Sequence, residues 1–226
     1  MMKQLALDIG VASPATLDSF HPAANEAAWK HVQLWARSPT RSPVPTYLWG
    51  NSGSGKTHLL KAVEHALREQ GAIVGWLDAS VAEPPPFRED WAVVLFDDVE
   101  RYTAVQQHAA FSWFVQAQTM HRGVLAAGAL PPADLPLRDD LRTRLAWGHV
   151  FQLRVMSEPE RRAVLRQAAD ARGIFLSDDV MDFILARFSR DLDSLMQLLQ
   201  HLDAYALRAQ RGVTIPLIKS MLEEAE

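Results

Sequence analysis

The stretch that most constrains the fold of this chain is the glycine-rich segment from Gly50 to Thr57, which reads Gly-Asn-Ser-Gly-Ser-Gly-Lys-Thr. It fits the phosphate-binding pattern in which four residues separate a glycine from Gly-Lys-Ser/Thr. A short β-prone segment, 46–49, precedes it, and apolar side chains follow Thr57 at helical spacing. A strand, a glycine loop and a helix N-terminus let backbone N–H groups converge on phosphate oxygens. A Gly/Ser turn without a ligand is the alternative, which this setting disfavours.

The phosphate-loop pattern also assigns roles to side chains. Lys56 would contact the β- and γ-phosphates of a nucleotide, and Thr57 would place its hydroxyl on Mg²⁺. We therefore predict a site for a nucleotide with Mg²⁺. The residues predicted to bind the nucleotide are Gly50, Asn51, Ser52, Gly53, Ser54, Gly55, Lys56 and Thr57.

A second informative stretch is the apolar run 91–96, which ends in the pair Asp97 and Asp98. A continuous apolar run is typical of a strand buried on both faces of a parallel sheet. Ligands bind at the carboxyl ends of such strands in open α/β sheets. Asp97 would hold Mg²⁺, directly or through water, and Asp98 would orient an attacking water. A strand that simply ends in a polar turn is the alternative, but it is disfavoured beside a phosphate loop.

The order of the remaining patterns predicts two domains. Strands and helices alternate up to about residue 155, which is typical of a three-layer α/β domain with a parallel sheet. After that point every pattern is helical, beginning with a capping box at Ser157 and Glu160. We predict an N-terminal peptide and linker at 1–15, an α/β nucleotide-binding domain at 16–155 and a small all-helical domain at 156–226. Asn25 is predicted to cap the first helix.

Composition excludes several classes of protein. With no cysteine among its 226 residues, the chain has no disulfide and no thiolate site, which is compatible with the cytoplasm. No apolar run approaches the roughly 18 residues of a membrane span, so we expect no membrane partner. The formal net charge of −4 is unusual for a dedicated duplex-DNA binder. The eight histidines show no metal-ligand spacing, and we interpret them as structural or surface residues.

Several motifs together resemble those of the bacterial replication initiator DnaA, an AAA+ protein. The phosphate loop runs into His58-Leu59-Leu60, and the strand at 91–96 ends in Asp-Asp; the segments 130–132 and 141–148 are also similar. The resemblance covers roughly residues 16–225. It implies an AAA+ P-loop NTPase core followed by a helical lid, and it adds His58 to the predicted nucleotide-binding residues. A chain with a short peptide before this core and nothing after the lid resembles the Hda family of DnaA regulators.

The N-terminal segment Gln4-Leu5-Ala6-Leu7-Asp8-Ile9 alternates apolar and other residues. By composition alone it fits a frayed tail, an edge strand or a peptide that docks in a partner's groove. The Hda family carries a similar hexapeptide that binds the sliding clamp, the beta subunit of DNA polymerase III. The resemblance therefore implies that this chain contacts the clamp, and DNA only indirectly through it. The implied anchors are Gln4, Leu5, Leu7 and Ile9.

Two arginines acquire roles from the resemblance. Arg144 matches the arginine finger, which would reach across a subunit interface to the γ-phosphate of ATP on DnaA; Arg142 is the alternative candidate. The ordinary fate of a surface arginine is a salt bridge. Arg190 matches the sensor 2 arginine of the lid, which contacts the bound nucleotide, and its alternative is an exposed residue at a helix start.

One departure from the DnaA pattern affects the expected chemistry. Where DnaA has a polar sensor 1 residue at the end of the fourth strand, this chain has Ala127-Gly128-Ala129-Leu130. A side chain that would help to position the attacking water is missing there, so the sequence predicts weak hydrolysis by the chain itself. Nucleotide binding and a finger acting on another protein use other residues.

Three functions follow from these patterns. The first is a negative regulator of chromosomal replication initiation, which holds ADP, docks on the DNA-loaded clamp and stimulates hydrolysis of DnaA-bound ATP. The second is an autonomous AAA+ ATPase, such as a helicase loader or remodeller, with ATP as its substrate. The third, a DNA-binding initiator paralogue, is disfavoured by the acidic balance. The sequence is compatible with either a monomer or a nucleotide-controlled homodimer.

Overall fold

A computed structural model describes residues 15–188 and 192–224 of the chain. The described residues divide into two compact units, with the boundary between Val155 and Met156. The first unit contains all the strands and the phosphate loop, and the second contains only helices. Within the described ranges, no helix is both long enough and apolar enough to cross a membrane.

The first unit is built on a five-stranded parallel sheet with the strand order β2-β3-β4-β1-β5. Its strands are β1 (Thr46–Trp49), β2 (Ile73–Leu77), β3 (Trp91–Phe96), β4 (Gly123–Gly128) and β5 (His149–Gln152). The two strands whose sequences are most continuously apolar, β3 and β4, lie inside the sheet, and every residue of β4 is buried. The edge strand β5 is mostly exposed. All five carboxyl ends therefore lie along one side of the sheet, where the phosphate loop begins.

Helices cover both faces of the sheet. The helices of this unit are α1 (Glu26–Arg37), α2 (Lys56–Glu69), α3 (Ala104–Thr119) and α4 (Asp139–Ala146). The side chains of β3 alternate between two apolar clusters: Val93 and Leu95 pack with residues of α1 and α2, whereas Val94 and Phe96 pack with residues of α3 and α4. This alternation is the period-two geometry of a strand. The arrangement is the three-layer α/β domain that the sequence predicts.

The described residues of the second unit form four helices and an apolar core of their own. The helices are α5 (Glu158–Asp170), α6 (Asp178–Arg187), α7 (Leu192–Ala209) and α8 (Ile215–Glu224). Fully buried residues such as Met181, Leu195, Leu202 and Ile218 hold them together. Ser157 accepts a hydrogen bond from the backbone of Glu160 in the predicted capping box. Within 156–188 and 192–224 the structure contains no strand, as expected for a helical domain.

The predicted capping of α1 by the side chain of Asn25 is not observed. Asn25 precedes α1, but its side chain makes no capping hydrogen bond. Its amide instead donates to Arg154 O (2.9 Å) and accepts from Arg154 N–H (2.8 Å). The physical reason is burial: Asn25 is only 5% exposed, and a buried amide must satisfy both its donor and its acceptor. Asn25 thus ties the start of α1 to the segment that follows β5.

Candidate functional site

The phosphate loop lies between β1 and α2, and glycine is required at its two ends. Gly50 and Gly55 have φ angles of +154° and +93°. A Cβ added to Gly50 would lie 2.1 Å from Leu153 O, and one added to Gly55 would lie 2.7 Å from the ring of Phe20. Positive φ and lack of space together restrict these positions to glycine. These two glycines therefore permit the sharp backbone turns that a loop around a phosphate group needs.

Lys56 begins α2 with its ammonium group turned back into the loop. The side chain is buried, and Nζ donates to Gly50 O (2.7 Å) and to Asn51 O (3.2 Å). Burial lowers the pKa of Lys56, and the negative charges of Glu100, Asp98 and Asp97 partly oppose that shift. The ammonium is thus held by neutral carbonyl oxygens, and a phosphate oxygen would be a stronger partner because its hydrogen bond would join two charges.

A second polar group in the loop is suited to a phosphate. Ser54 is only 5% exposed, and its Oγ has no hydrogen-bond partner among the described residues. Buried hydroxyls are nearly always hydrogen-bonded in native proteins. A phosphate group placed in the curve of the loop would supply the missing acceptor. The residues present therefore fit the phosphate chain of a nucleotide.

The predicted Mg²⁺ residues, Thr57 and Asp97, are brought together at the end of β3. Thr57 begins α2 after Lys56, and its hydroxyl is one of the groups that act on the Asp97 carboxyl. Burial raises the pKa of Asp97, and the Thr57 hydroxyl opposes that shift. Within the described residues no group of three or more His, Cys, Asp or Glu side chains could hold a metal ion. Mg²⁺ is commonly held by one or two protein oxygens together with phosphate and water, and the predicted Mg²⁺ site stays a prediction.

Asp98 follows with a left-handed backbone, φ +50°, and its side chain is more exposed than that of Asp97. Its carboxylate lies 3.4 Å from the guanidinium of Arg101, at the end of a 3₁₀ helix, Val99–Arg101. Its backbone N–H donates to Asp97 Oδ1 at 3.1 Å. The role of Asp98 in orienting water stays a prediction. Its carboxylate, which that role requires, forms an ion pair with Arg101 in this structure.

Sequence reasoning missed Glu100, which the 3₁₀ helix brings to the end of β4. Its Oε2 accepts a hydrogen bond from Ala129 N–H at 2.9 Å. The neighbouring Gly128 O accepts from Gly50 N–H at 3.2 Å, so this strand end contacts the first residue of the phosphate loop. The short spacing from Asp97 to Glu100 is the one available signal, but it does not reveal a turn toward β4. A carboxylate thus lies where the sequence shows only Ala127, Gly128 and Ala129.

Arg144 and Arg142, the two candidates for the finger, differ in their partners. Arg142 forms an ion pair with Asp139 at 2.6 Å. Arg144 has no carboxylate partner in the described part of the chain; its guanidinium lies over the rings of Phe111 (5.2 Å) and Phe114 (5.8 Å). The ordinary salt-bridge interpretation therefore fits Arg142 and not Arg144.

A surface cavity of about 390 Å³ adjoins Arg144. It is lined by Phe114, Gln118, Thr143, Arg144 and Trp147. Trp147 is 67% exposed, which is unusual for so large an apolar side chain. The cation therefore lies at the rim of an open, partly aromatic surface.

His58 contacts the segment that precedes α1. Its Nε2 lies 3.2 Å from Ser19 Oγ and 3.3 Å from Thr16 O, and its ring packs 5.7 Å from that of Phe20. Phe20 also lies against Gly55. His58 therefore holds this segment beside the phosphate loop. A contact between His58 and a nucleotide stays a prediction.

Some predicted residues cannot be placed. The clamp-binding anchors Gln4, Leu5, Leu7 and Ile9 lie outside the described residues, and so does the sensor 2 candidate Arg190.

Sequence families match both units of the chain. Residues 158–222 match the family described as "Hda, lid domain", and residues 13–77 match the family described as "Bacterial DnaA ATPase domain". A protein of Haemophilus influenzae, described as uncharacterized, is 32% identical over 231 residues, which cover 98% of this chain and 99% of that protein. The likeness to that relative therefore extends over both units.

Solved structures share the fold. Domain III of the Thermotoga maritima replication initiation protein DnaA has a TM-score of 0.70 at 20% identity, covering 93% of this chain and 96% of that one. AMPPCP-bound DnaA from Aquifex aeolicus has a TM-score of 0.64 at 20% identity, covering 82% and 65%. The Thermotoga maritima RuvB Holliday junction branch migration motor has a TM-score of 0.60 at 17% identity, covering 93% and 72%. The AAA+ fold predicted from the sequence is confirmed.

Proposed function

Since the chain belongs to the Hda-like, DnaA-related family of AAA+ proteins, we propose that it is a nucleotide-bound negative regulator of replication initiation that acts on DnaA. In this proposal its own phosphate loop holds ADP or ATP with Mg²⁺, and Arg144 stimulates hydrolysis of ATP bound to DnaA. Residues 4–9 tether the protein to the sliding clamp on DNA. The site of action is the cytoplasm.

Nucleotide binding is supported by the phosphate loop. The buried ammonium of Lys56 fits phosphate oxygens, and so does the hydroxyl of Ser54, which has no partner in the described part of the chain. Thr57 and Asp97 supply oxygens suited to Mg²⁺. DnaA from Aquifex aeolicus, which has a similar fold, binds the nucleotide analogue AMPPCP. When bound, Mg²⁺ would neutralise phosphate charge. The chain's own groups would orient the phosphates, with Lys56 donating to them.

The observation that carries the action on DnaA is the position of Arg144. The guanidinium of Arg144 has no carboxylate partner among the described residues and lies on aromatic rings at an open surface, so it is available to another molecule. A guanidinium supplied by a second protein can accelerate phosphoryl transfer by about 10³ to 10⁵ because it stabilises transition-state charge. Arg142 is a weaker candidate because Asp139 already pairs with it.

The proposal predicts that Arg144→Ala loses the stimulation of DnaA. The measurement is the rate at which DnaA-bound ATP is converted to ADP in the presence of clamp loaded on DNA. Wild-type protein should accelerate this conversion, and Arg144→Ala should lower the acceleration at least about tenfold, by analogy with other arginine fingers. Arg142→Ala is the matched control, with the same charge removed two residues away, and should retain most of the effect. Full stimulation by Arg144→Ala would rule out its role.

An autonomous AAA+ ATPase, such as a helicase loader, is the second candidate. The carboxylates of Asp97, Asp98 and Glu100 favour it, because orienting an attacking water is a role for a carboxylate. Two features count against it: Arg101 pairs with Asp98, and the end of β4 carries no polar side chain at 127–129. This candidate predicts sustained ATP turnover by the purified chain, lost on Asp98→Asn.

A further inference from the structure

We propose that His31 and His149 form a binding site for Zn²⁺, which joins helix α1 to the edge strand β5. The pair lies at the amino ends of β1 and β5, whereas the phosphate loop begins at the carboxyl end of β1. The inference therefore goes beyond the proposed function and does not depend on nucleotide binding. Sequence spacing does not reveal this site, because the two histidines come from distant segments of the chain.

The two imidazole rings are close together and inclined to each other. Their centroids are 4.5 Å apart, and their planes are tilted by 57°. Two imidazoles that bind one Zn²⁺ through bonds of about 2.0–2.1 Å have centroids about 4.5–5 Å apart. Parallel stacked rings direct their nitrogen lone pairs in parallel, whereas a tilt of this size is compatible with lone pairs that converge on one ion. The pair therefore has the spacing that a shared zinc ion requires.

Both histidines are held in place by the first residues of neighbouring strands. His149 begins β5 opposite Thr46, and its backbone N–H donates to Pro45 O at 2.9 Å. His31 reaches the same point from α1, where its Nε2 lies 2.9 Å from Thr46 Oγ1. An imidazole that binds a metal usually forms a hydrogen bond through its other ring nitrogen, which fixes the orientation of the ring. Thr46 supplies that partner for His31, so we assign Nδ1 of His31 to the metal.

The protonation state and the donor type of the pair both suit zinc. Burial lowers the pKa of His31, and the neighbouring His149 lowers it further. Because an imidazole must be uncharged to bind a metal, His31 does not have to lose a proton at neutral pH. Imidazole nitrogen is a favoured ligand of Zn²⁺, whereas Mg²⁺ prefers oxygen. His149 is exposed, so water can complete a tetrahedral coordination sphere.

Zinc bound at this site should stabilise the folded chain. The two ligands come together only when α1 packs on the sheet, where His31 also contacts the ring of Phe151 at 5.0 Å. An ion that binds the folded state alone raises the melting temperature. At a free zinc concentration about ten times the dissociation constant, we expect a rise of about 3–6 °C for a chain of this size.

The test titrates the full chain with Zn²⁺ alone, at about pH 7.5 and in excess Mg²⁺, by isothermal calorimetry. The excess Mg²⁺ occupies oxygen sites such as the carboxyl group of Asp97. His149→Gln changes an exposed side chain, so the variant should fold; it should bind one Zn²⁺ fewer than the wild type and lose the zinc-dependent rise in melting temperature. Zinc binding by His149→Gln that equals that of the wild type overturns the inference.

The matched control is His65→Gln, which removes an imidazole from α2. His65 lies 3.6 Å from Glu69, a second pair that could attract zinc. The control should keep both the zinc site and the rise in melting temperature. Loss of the site in His65→Gln, with no loss in His149→Gln, places the zinc elsewhere and also overturns the inference.

A second measurement needs no variant. In the wild type labelled with ¹⁵N-histidine, Zn²⁺ should shift the ring nitrogens of His31 and His149 together, with the larger shift at Nδ1 of His31. Shifts that are spread evenly over the eight histidines would identify weak surface binding and contradict the assignment. No shift in either ring would show that the pair is an aromatic contact only.

Discussion

At the scale of single residues, the phosphate loop is defined by polar groups whose protein partners are weak or absent. Lys56 is bonded to two carbonyl oxygens, and Ser54 Oγ has no partner among the described residues. Both groups are buried and could form further hydrogen bonds. A buried polar group that lacks a hydrogen bond lowers the stability of the folded state unless a ligand supplies the partner. Because a phosphate group would use both at once, nucleotide binding is expected to stabilise the folded chain.

The partly buried side chain of His31 makes the stability of the fold depend on pH. His31 is a residue of α1 that faces the sheet, with its Nε2 2.9 Å from Thr46 Oγ1 and its ring 4.5 Å from that of His149. Burial lowers the pKa of His31, and the neighbouring His149 lowers it further. Protonation therefore favours the unfolded chain, where the pKa is near its ordinary value of about 6.5.

The consequence is a loss of stability in acid. The contribution of His31 to the free energy of unfolding should be fully present above about pH 6.5 and should decline as the pH falls through the lowered pKa. Urea unfolding at about pH 7.5 and about pH 5.5 measures it. The wild type should lose more stability between these conditions than His31→Gln, which cannot take up a proton. Equal losses in the two proteins would contradict this account.

At the scale of secondary-structure elements, the sequence predicts most of what is local. The strand at 91–96 follows from its apolar run, and the helix start at Ser157 follows from its capping box. The phosphate loop is equally local, because its pattern depends on neighbouring residues. These features could be predicted because the physical cause lies within a few positions of the effect.

What could not be predicted depends on contacts between distant segments. Glu100 reaches β4 because a 3₁₀ helix turns it there, and no pattern in the sequence marks that turn. Asn25 is read as a helix cap, but its partner Arg154 lies 129 residues away. The cation–π contact of Arg144 with Phe111 likewise joins two helices, α4 and α3. In each case the partner is set by tertiary packing.

The Asn25 contact yields a prediction at this scale. Asn25→Ala should lower the free energy of unfolding by about 1–2 kcal/mol, because two hydrogen bonds with the backbone of Arg154 are lost and their groups are left partly buried. Chemical denaturation measures the change. Asn25→Asp is the informative comparison, since it keeps the acceptor for Arg154 N–H and loses only the donor. If both variants are as stable as the wild type, the contact contributes nothing to the fold.

At the scale of the whole molecule, the chain combines a sheet unit and a helical unit, each with its own core. The family matches lie one in each unit, and the Haemophilus influenzae relative spans both. We propose that residues 16–155 bind the nucleotide, that 156–226 form the lid and that 1–15 carry the clamp-binding peptide. Partner binding by the peptide would then be separable from nucleotide binding by the sheet unit.

This separation is a prediction for the intact chain. Replacing two proposed anchors together, Gln4→Ala with Leu5→Ala, should abolish binding to the sliding clamp, because such a peptide binds through a few buried side chains. The affinity for ADP should not change, since the phosphate loop is intact. Surface-immobilised clamp and a nucleotide-binding assay give the two readouts. Undiminished clamp binding by the double variant would remove the tether from the proposed function.

In the proposed function, this chain holds its own nucleotide and acts on the nucleotide held by DnaA. A double-label experiment tests it most directly: the chain is loaded with tritiated ATP, DnaA is loaded with ³²P-labelled ATP, and conversion of each label to ADP is followed after mixing with DNA-loaded clamp. The account predicts rapid conversion of the ³²P label, dependent on Arg144, with the tritium label converted slowly or not at all. Rapid conversion of the tritium label, with the ³²P label unaffected by the chain, would contradict it.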